Sequence, residues 1–168
     1  MEFPGRPLLI AAIMALLVVP LQLALIPLLK FHNDIGLGKS YLGIWLAHTG
    51  FGLPLAIYLL RSYMIGLPRE IIESARVDGA TEFHIFRKII LPLSAPALAV
   101  LAIFSVMWRW NDFLWPLIVL SKAEKFTLQL ALNAFQGDLV TQWNYLLAMT
   151  VITLLPITIV FAFLQKYI

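Results

Sequence analysis

Arg109, Trp110, Asn111 and Asp112 place a cation, an amide and an anion side by side within a stretch, Ala95 to Leu120, that is otherwise almost entirely apolar. Charges inside so apolar a segment are costly, which makes them functional candidates. On a helix Arg109 and Asp112, three residues apart, share a face and can pair. Trp108, Trp110, Phe113 and Trp115 surround them. Two readings stand. In one, Trp108, Arg109, Asn111 and Asp112 line a path for a polar solute. In the other, Arg109 and Asp112 form a structural ion pair within an interfacial aromatic belt. His48 reads as a core or interface histidine, since a proton relay there lacks a second acidic neighbour, and Gln22 as an interhelical hydrogen bond. His32, His48 and His84 are scattered and set no metal-ligand spacing. The acids Glu70, Glu73, Asp78 and Glu82 do not repeat on one helical face, which disfavours a chelated cation and a metal-dependent membrane enzyme. The chain has no cysteine, so disulfides, thiolate zinc sites and thiol nucleophiles are excluded. No Gly-x-x-x-x-Gly-Lys-Ser/Thr phosphate loop occurs either.

The elements that carry these residues belong to a bilayer. Of 168 residues 61% are hydrophobic and 12% charged, against about 25% charged in soluble domains, and the mean hydropathy is +0.90. Four windows reach the length needed to cross, at about 8–29, 41–61, 95–120 and 145–165. Helices are the expected form, because backbone groups in lipid must be satisfied within their own segment. The expected fold is therefore all-α: one polytopic domain over 1–168, with about four transmembrane helices. Pro20, Pro27, Pro54 and Pro156 predict kinks within these windows. The first window is too long and too weakly flanked by basic residues for a signal peptide. A short helix at the outer interface is expected between Ser121 and Asn144, although Phe126, Leu128, Leu130 and Leu132 also alternate with strand period. No internal repeat of the kind found in secondary carriers is visible.

Between the second and third windows lies a polar loop, about 62–92. It reads as two short amphipathic helices hinged at Gly79. Pro68 suits a first helical position, and Glu70 and Glu73 sit near that start, where negative charge is favoured. Ile71, Ile72 and Ala75 form an apolar face, and Asp78-Gly79 ends the helix. Thr81 caps a second helix whose stripe is Phe83, Phe86, Ile89 and Ile90, with Pro92 and Pro96 breaking it before the next span. Seven basic residues fall on the side of this loop and the termini, and four on the other. That bias makes the loop side cytoplasmic. Such a loop lies on lipid headgroups or docks into a partner's groove. Its mixed charge and short phenylalanine-rich stripe favour docking.

Glu73-Ser74-Ala75, three residues, Gly79, nine residues and Ile89-Ile90-Leu91-Pro92 resemble the cytoplasmic "EAA" loop of ABC importer permeases. That loop has Glu-Ala-Ala, three residues, Gly, nine residues and Ile-x-Leu-Pro, and only Ser74 departs from it. The run from Phe51 to Arg61 and Trp110-Asn111-Asp112-Phe113 are similar to the carbohydrate-importer branch. The resemblance spans essentially the whole chain. It implies a non-enzymatic permease subunit with no cofactor, forming half of a sugar path through a prokaryotic inner membrane. Glu73, Ser74, Ala75, Asp78, Gly79, Ala80, Phe86, Ile89, Leu91 and Pro92 are then the residues coupling it to an ATPase. The implied partners are a cytoplasmic ABC ATPase dimer, a second permease subunit, an extracytoplasmic sugar-binding protein and membrane lipid, with no nucleic acid. The chain has fewer spans than that branch and stops before its glycine-rich basic tail, which implies truncation at both ends.

Overall fold

The computed structural model describes residues 4–120, 122–133, 135, 136 and 142–167. No strand occurs among them, in agreement with the all-α expectation. Two continuous stretches, Tyr41–Ile65 and Trp143–Tyr167, are long and apolar enough to cross a membrane; the number rises to four if each of two sharply bent helix pairs counts as one span.

The window at 8–29 is one of those bent pairs, which corrects the expectation of a kinked but single helix. Helix α1, Arg6–Val18, stops at Val19, and α2, Leu21–Asp34, leaves at 101°. The cause is local. Pro20 forces the residue before it out of helical space, and Val19 is extended at φ −71°, ψ 113°. Pro27, by contrast, lies inside α2 without ending it.

Helix α3, Tyr41–Ile65, spans about 38 Å at 1.5 Å per residue. Ser40 caps it, its hydroxyl accepting from the Gly43 amide at 3.1 Å. The helix runs beyond Arg61 to Ile65, so the polar loop begins at Gly66 rather than at 62. The loop contains α4, Arg69–Val77, and a second helical run, α5, Glu82–Leu93. Its exit also differs from expectation. Pro92 does not break α5; the chain turns by 66° only at Ser94. A wide π turn over Phe86–Ile90 precedes the proline, with the Leu91 amide donating to the Phe86 carbonyl. A proline in a regular helix clashes with the carbonyl four residues back, and a local change of pitch at that place relieves the clash.

Helix α6, Ala95–Trp110, covers about 24 Å. It ends well before Leu120, so the third window is not one helix. Asn111 turns its side-chain amide onto the Met107 carbonyl at 2.8 Å, competing with the backbone ladder. A separate short helix, α7, Leu114–Val119, follows, with Pro116 tolerated in its first turn. The best-buried cluster forms around α7: Trp115, Val119 and Leu120 pack on Ile44 and Ala47 of α3 and on Leu130. Leu130 belongs to α8, Leu128–Asn133, a short helix within the 121–144 connection; positions 121, 134 and 137–141 of that connection lie outside the described residues.

Helix α9, Trp143–Leu164, coincides with the fourth window and keeps Pro156 inside it. It is tied to α6 where the Trp110 indole N–H donates to the Thr153 carbonyl at 3.0 Å. Only 6% of its most apolar window is buried, leaving its sides to lipid or other protein.

Candidate functional site

The loop between α3 and α6 is built as a braced hinge. Helix α4 ends in a Schellman motif: the Ala80 amide donates to the Ala75 carbonyl and the Gly79 amide to the Arg76 carbonyl, both at 3.0 Å. Gly79 sits at φ +81°, where a side chain is strained, and nothing lies within 4 Å of a Cβ built there. Thr81 then caps α5, its hydroxyl accepting from the His84 amide at 3.3 Å. Arg76 bridges the hinge with both its Nε and Nη2 donating to the Glu82 carboxylate, at 2.7 and 3.2 Å. Ser74 donates back to the Glu70 carbonyl at 2.8 Å.

Sequence reasoning named Phe83, Phe86, Ile89 and Ile90 as one stripe; the structure divides them. Ile85, on the neighbouring face, is the side chain that anchors α5, at 1% exposure. Ile89 and Ile90 are half-buried, while Phe83 and Phe86 face outward. On α4 Ile72 and Ala75 are half-buried, but Ile71 and Val77 are exposed, Val77 to 87%. The hinge therefore presents an apolar surface rimmed by charge that no other described residue covers. At its root the Tyr63 hydroxyl donates to the Leu93 carbonyl at 3.1 Å, joining the end of α3 to the end of α5.

The brace predicts a pH dependence. Hydrogen bonding from Arg76, and then its charge, hold the Glu82 carboxyl below the ordinary range, and the same bond raises Arg76. A depressed carboxyl contributes stability above its unfolded value and loses it as pH falls through the folded value. Amide exchange at Gly79 and Ala80, corrected for intrinsic rates, is expected to quicken on acidification through that range. In Glu82→Gln this dependence is expected to vanish; if it persists, the brace does not hold the hinge.

The second group lies around Asp112, and its pairing differs from expectation. Because α6 ends at Trp110, Arg109 and Asp112 no longer share a helical face. Asp112 Oδ2 instead meets His48 Nε2 of α3 at 2.6 Å, and its Oδ1 accepts from the Trp115 amide at the start of α7 at 3.4 Å. The acidic neighbour that the sequence did not supply to His48 is thus Asp112. Arg109 crosses α3 and donates from Nη2 to the His48 carbonyl. It can do so only because residue 52 is glycine: a Cβ there would occupy the space of Nη2.

Two cavities flank this cluster, and both are lined by His48 and Arg109. The wider, about 770 Å³, runs along α3 past Trp45, Thr49 and Gly52. The smaller, about 290 Å³, is lined also by Phe51, Trp108, Asp112 and Trp115. Of the sequence candidates, Trp108, Arg109 and Asp112 are brought together. Asn111 is not; it caps the end of α6 and accepts from Gln129 Nε2 at 3.4 Å. His48 and Gly52 were not among the candidates. The one signal for Gly52 was a glycine within the singled-out run at Phe51, and nothing local announced the reach of Arg109.

The family described as "Binding-protein-dependent transport system inner membrane component" matches residues 4–168. The chain belongs to this family. Among similar members, the alpha-glucoside transport system permease protein AglG of Rhizobium meliloti (strain 1021) is 56% identical over 173 residues, covering 99% of this chain and 46% of that protein. The arabinooligosaccharides transport system permease protein AraQ of Bacillus subtilis (strain 168) is 38% identical over 166 residues, covering 99% of this chain and 58% of that one. The fold matches, at a TM-score of 0.77 and 26% identity, a chain in the crystal structure of a bacterial ABC transporter involved in the import of the acidic polysaccharide alginate. That match covers 99% of this chain and 63% of the other. The chain spans about half the length of the curated relatives it matches. The hinged loop and the His48–Asp112–Arg109 cluster are two places, among the described residues, where this chain departs from a plain hydrophobic bundle.

Proposed function

We propose that this chain supplies part of a permease subunit in an ATP-driven importer of a sugar, and that the hinge between α3 and α6 docks a cytoplasmic ATPase. ATP is hydrolysed on that separate polypeptide, and the chain itself is no enzyme. A second permease subunit completes the path, and an extracytoplasmic binding protein delivers the solute. The hinge and both termini face the cytoplasm. Glu73, Ser74, Ala75, Asp78, Gly79 and Ala80 form the first arm of the docking element, and Phe86, Ile89, Leu91 and Pro92 the second. Arg109, Asp112 and Trp108 border the sugar path.

The observation that carries this reading is an apolar face that nothing among the described residues covers. Val77, Phe83 and Ile71 are exposed on two helices joined by the Schellman stop and spanned by the Arg76–Glu82 pair. An amphipathic helix presented to a groove is a recurrent mode of recognition. The names of the relatives support a sugar as cargo.

A photo-crosslinker at Ala75 in the assembled transporter is expected to capture the ATPase subunit, more strongly with substrate present. Capture of lipid alone, with no ATPase under any nucleotide condition, returns the loop to the headgroup reading.

A further inference from the structure

The wider cavity beside α3 is not accounted for by the docking element. Its walls combine Trp45, exposed to 64%, with the hydroxyls of Thr49, Ser105 and Thr127, the open backbone of Gly52, and Arg109. The Arg109 guanidinium has five N–H donors, and among the described residues it makes one hydrogen bond, to the His48 carbonyl. Its charge is offset within the same cluster by Asp112, which His48 holds at 2.6 Å. The wall is therefore mostly apolar, with Tyr41, Ile44, Leu53 and Ala56 beside Trp45, and carries a few convergent polar groups whose charges nearly cancel.

That combination selects among occupants. An apolar helix or acyl chain laid into the cavity would strip water from Arg109 and return no hydrogen bonds. An anion would gain Arg109 and meet Asp112 just behind it. An uncharged polyhydroxylated ring offers hydroxyls to Arg109, Thr49 and Ser105 and an apolar ring face to Trp45. The volume, about 770 Å³, falls within the range of small-molecule sites, about 300–1,000 Å³.

The geometry points to this cavity as a binding site for neutral sugars that discriminates against acidic ones, with Trp45, Thr49, Ser105 and Arg109 as its contact residues. This rests on the reading of the chain as part of a sugar importer and adds a site and a charge preference to it.

The chain has no cysteine, so Thr49→Cys introduces its single thiol. In the assembled transporter, reconstituted with its ATPase and binding protein, two methanethiosulfonate reagents are compared: anionic sulfonatoethyl and cationic trimethylammoniumethyl. Their rate ratio, normalised to a free thiol, is expected to lie near unity. Asp112→Asn is expected to favour the anionic reagent by about fivefold, and Arg109→Gln the cationic one by a similar factor. A panel of neutral disaccharides (maltose, sucrose, trehalose) is then compared with glucuronate and galacturonate. At least one neutral sugar is expected to slow labelling by about fivefold or more, with the uronates changing it less than twofold. The inference is overturned by a thiol inert in every nucleotide state, which means that a helix fills the cavity. It is equally overturned by uronates protecting as well as neutral sugars, by no protection from any neutral sugar, or by a charge ratio unmoved in both variants. ATPase capture at Ala75 in the same preparation separates the two readings: capture beside an inert Thr49→Cys removes the site alone, whereas loss of capture removes the importer reading beneath it.

Discussion

Gly79→Val is expected to lower ATP-driven uptake by about tenfold or more while leaving membrane insertion and the packing of α3 on α6 unchanged. The effect is backbone in origin. Residue 79 stands at φ +81° with open space around it, so valine meets no neighbour but must leave the left-handed region. When it leaves, the Ala80 and Gly79 amides lose the Ala75 and Arg76 carbonyls that end α4. Helix α5 then enters at another angle, and Arg76 no longer lines up with Glu82. Asparagine tolerates this geometry far better than a β-branched residue, so Gly79→Asn is expected to retain most uptake. Uptake and ATP hydrolysis measured together decide the matter: hydrolysis continuing without uptake in the valine variant marks a broken lever. Equal uptake in the valine variant and the wild type would mean that the angle of the hinge does not matter.

Asp112→Ala is expected to cost the folded chain about 1–3 kcal/mol, the cost of leaving a half-buried hydrogen-bonding partner unsatisfied. The pair is mostly screened from solvent, with side-chain exposures of 21% for His48 and 15% for Asp112. Two structures fail together, because the same carboxylate holds His48 with one oxygen and the start of α7 with the other. Thermal unfolding in detergent is expected to shift down by several degrees. In a double-mutant cycle with His48→Ala the losses are expected to be clearly less than additive, because the two side chains share one interaction. Additive losses would mean that Asp112 acts through α7 alone.

Legibility in the sequence divided according to the range of the cause. The hinge was readable because its determinants are local: Gly79 as a helix stop, Thr81 as a cap, and acids near the start of α4. The interruption at Pro20 was also local. A hydropathy window discards it, because averaging erases direction, whereas the restriction that proline places on Val19 does not appear as polarity. The partner of Asp112 was out of reach. Pairing with Arg109 followed from an unbroken helix, but α6 stops at Trp110, and the carboxylate turns to a histidine 64 positions away. The part played by Gly52 was hidden for the same reason, since its absent side chain matters only once Arg109 lies across it. The stripe on α5 misled because Phe83 and Phe86 satisfy the helical period as well as Ile85 does, and only the neighbouring helices decide which face is covered.

The wide turn at Phe86–Ile90 fits one more residue into its coil than regular pitch would. Everything after it, including Ser94 and the whole of α6, is phased by that surplus. Deleting a single residue there would restore ordinary pitch and swing α6 by about 100° about the axis of α5, taking Arg109 away from Gly52 and Trp110 from α9. The stretch from Gly79 to Ala95 thus acts as a ruler, on which a change of count is a deeper lesion than a change of letter.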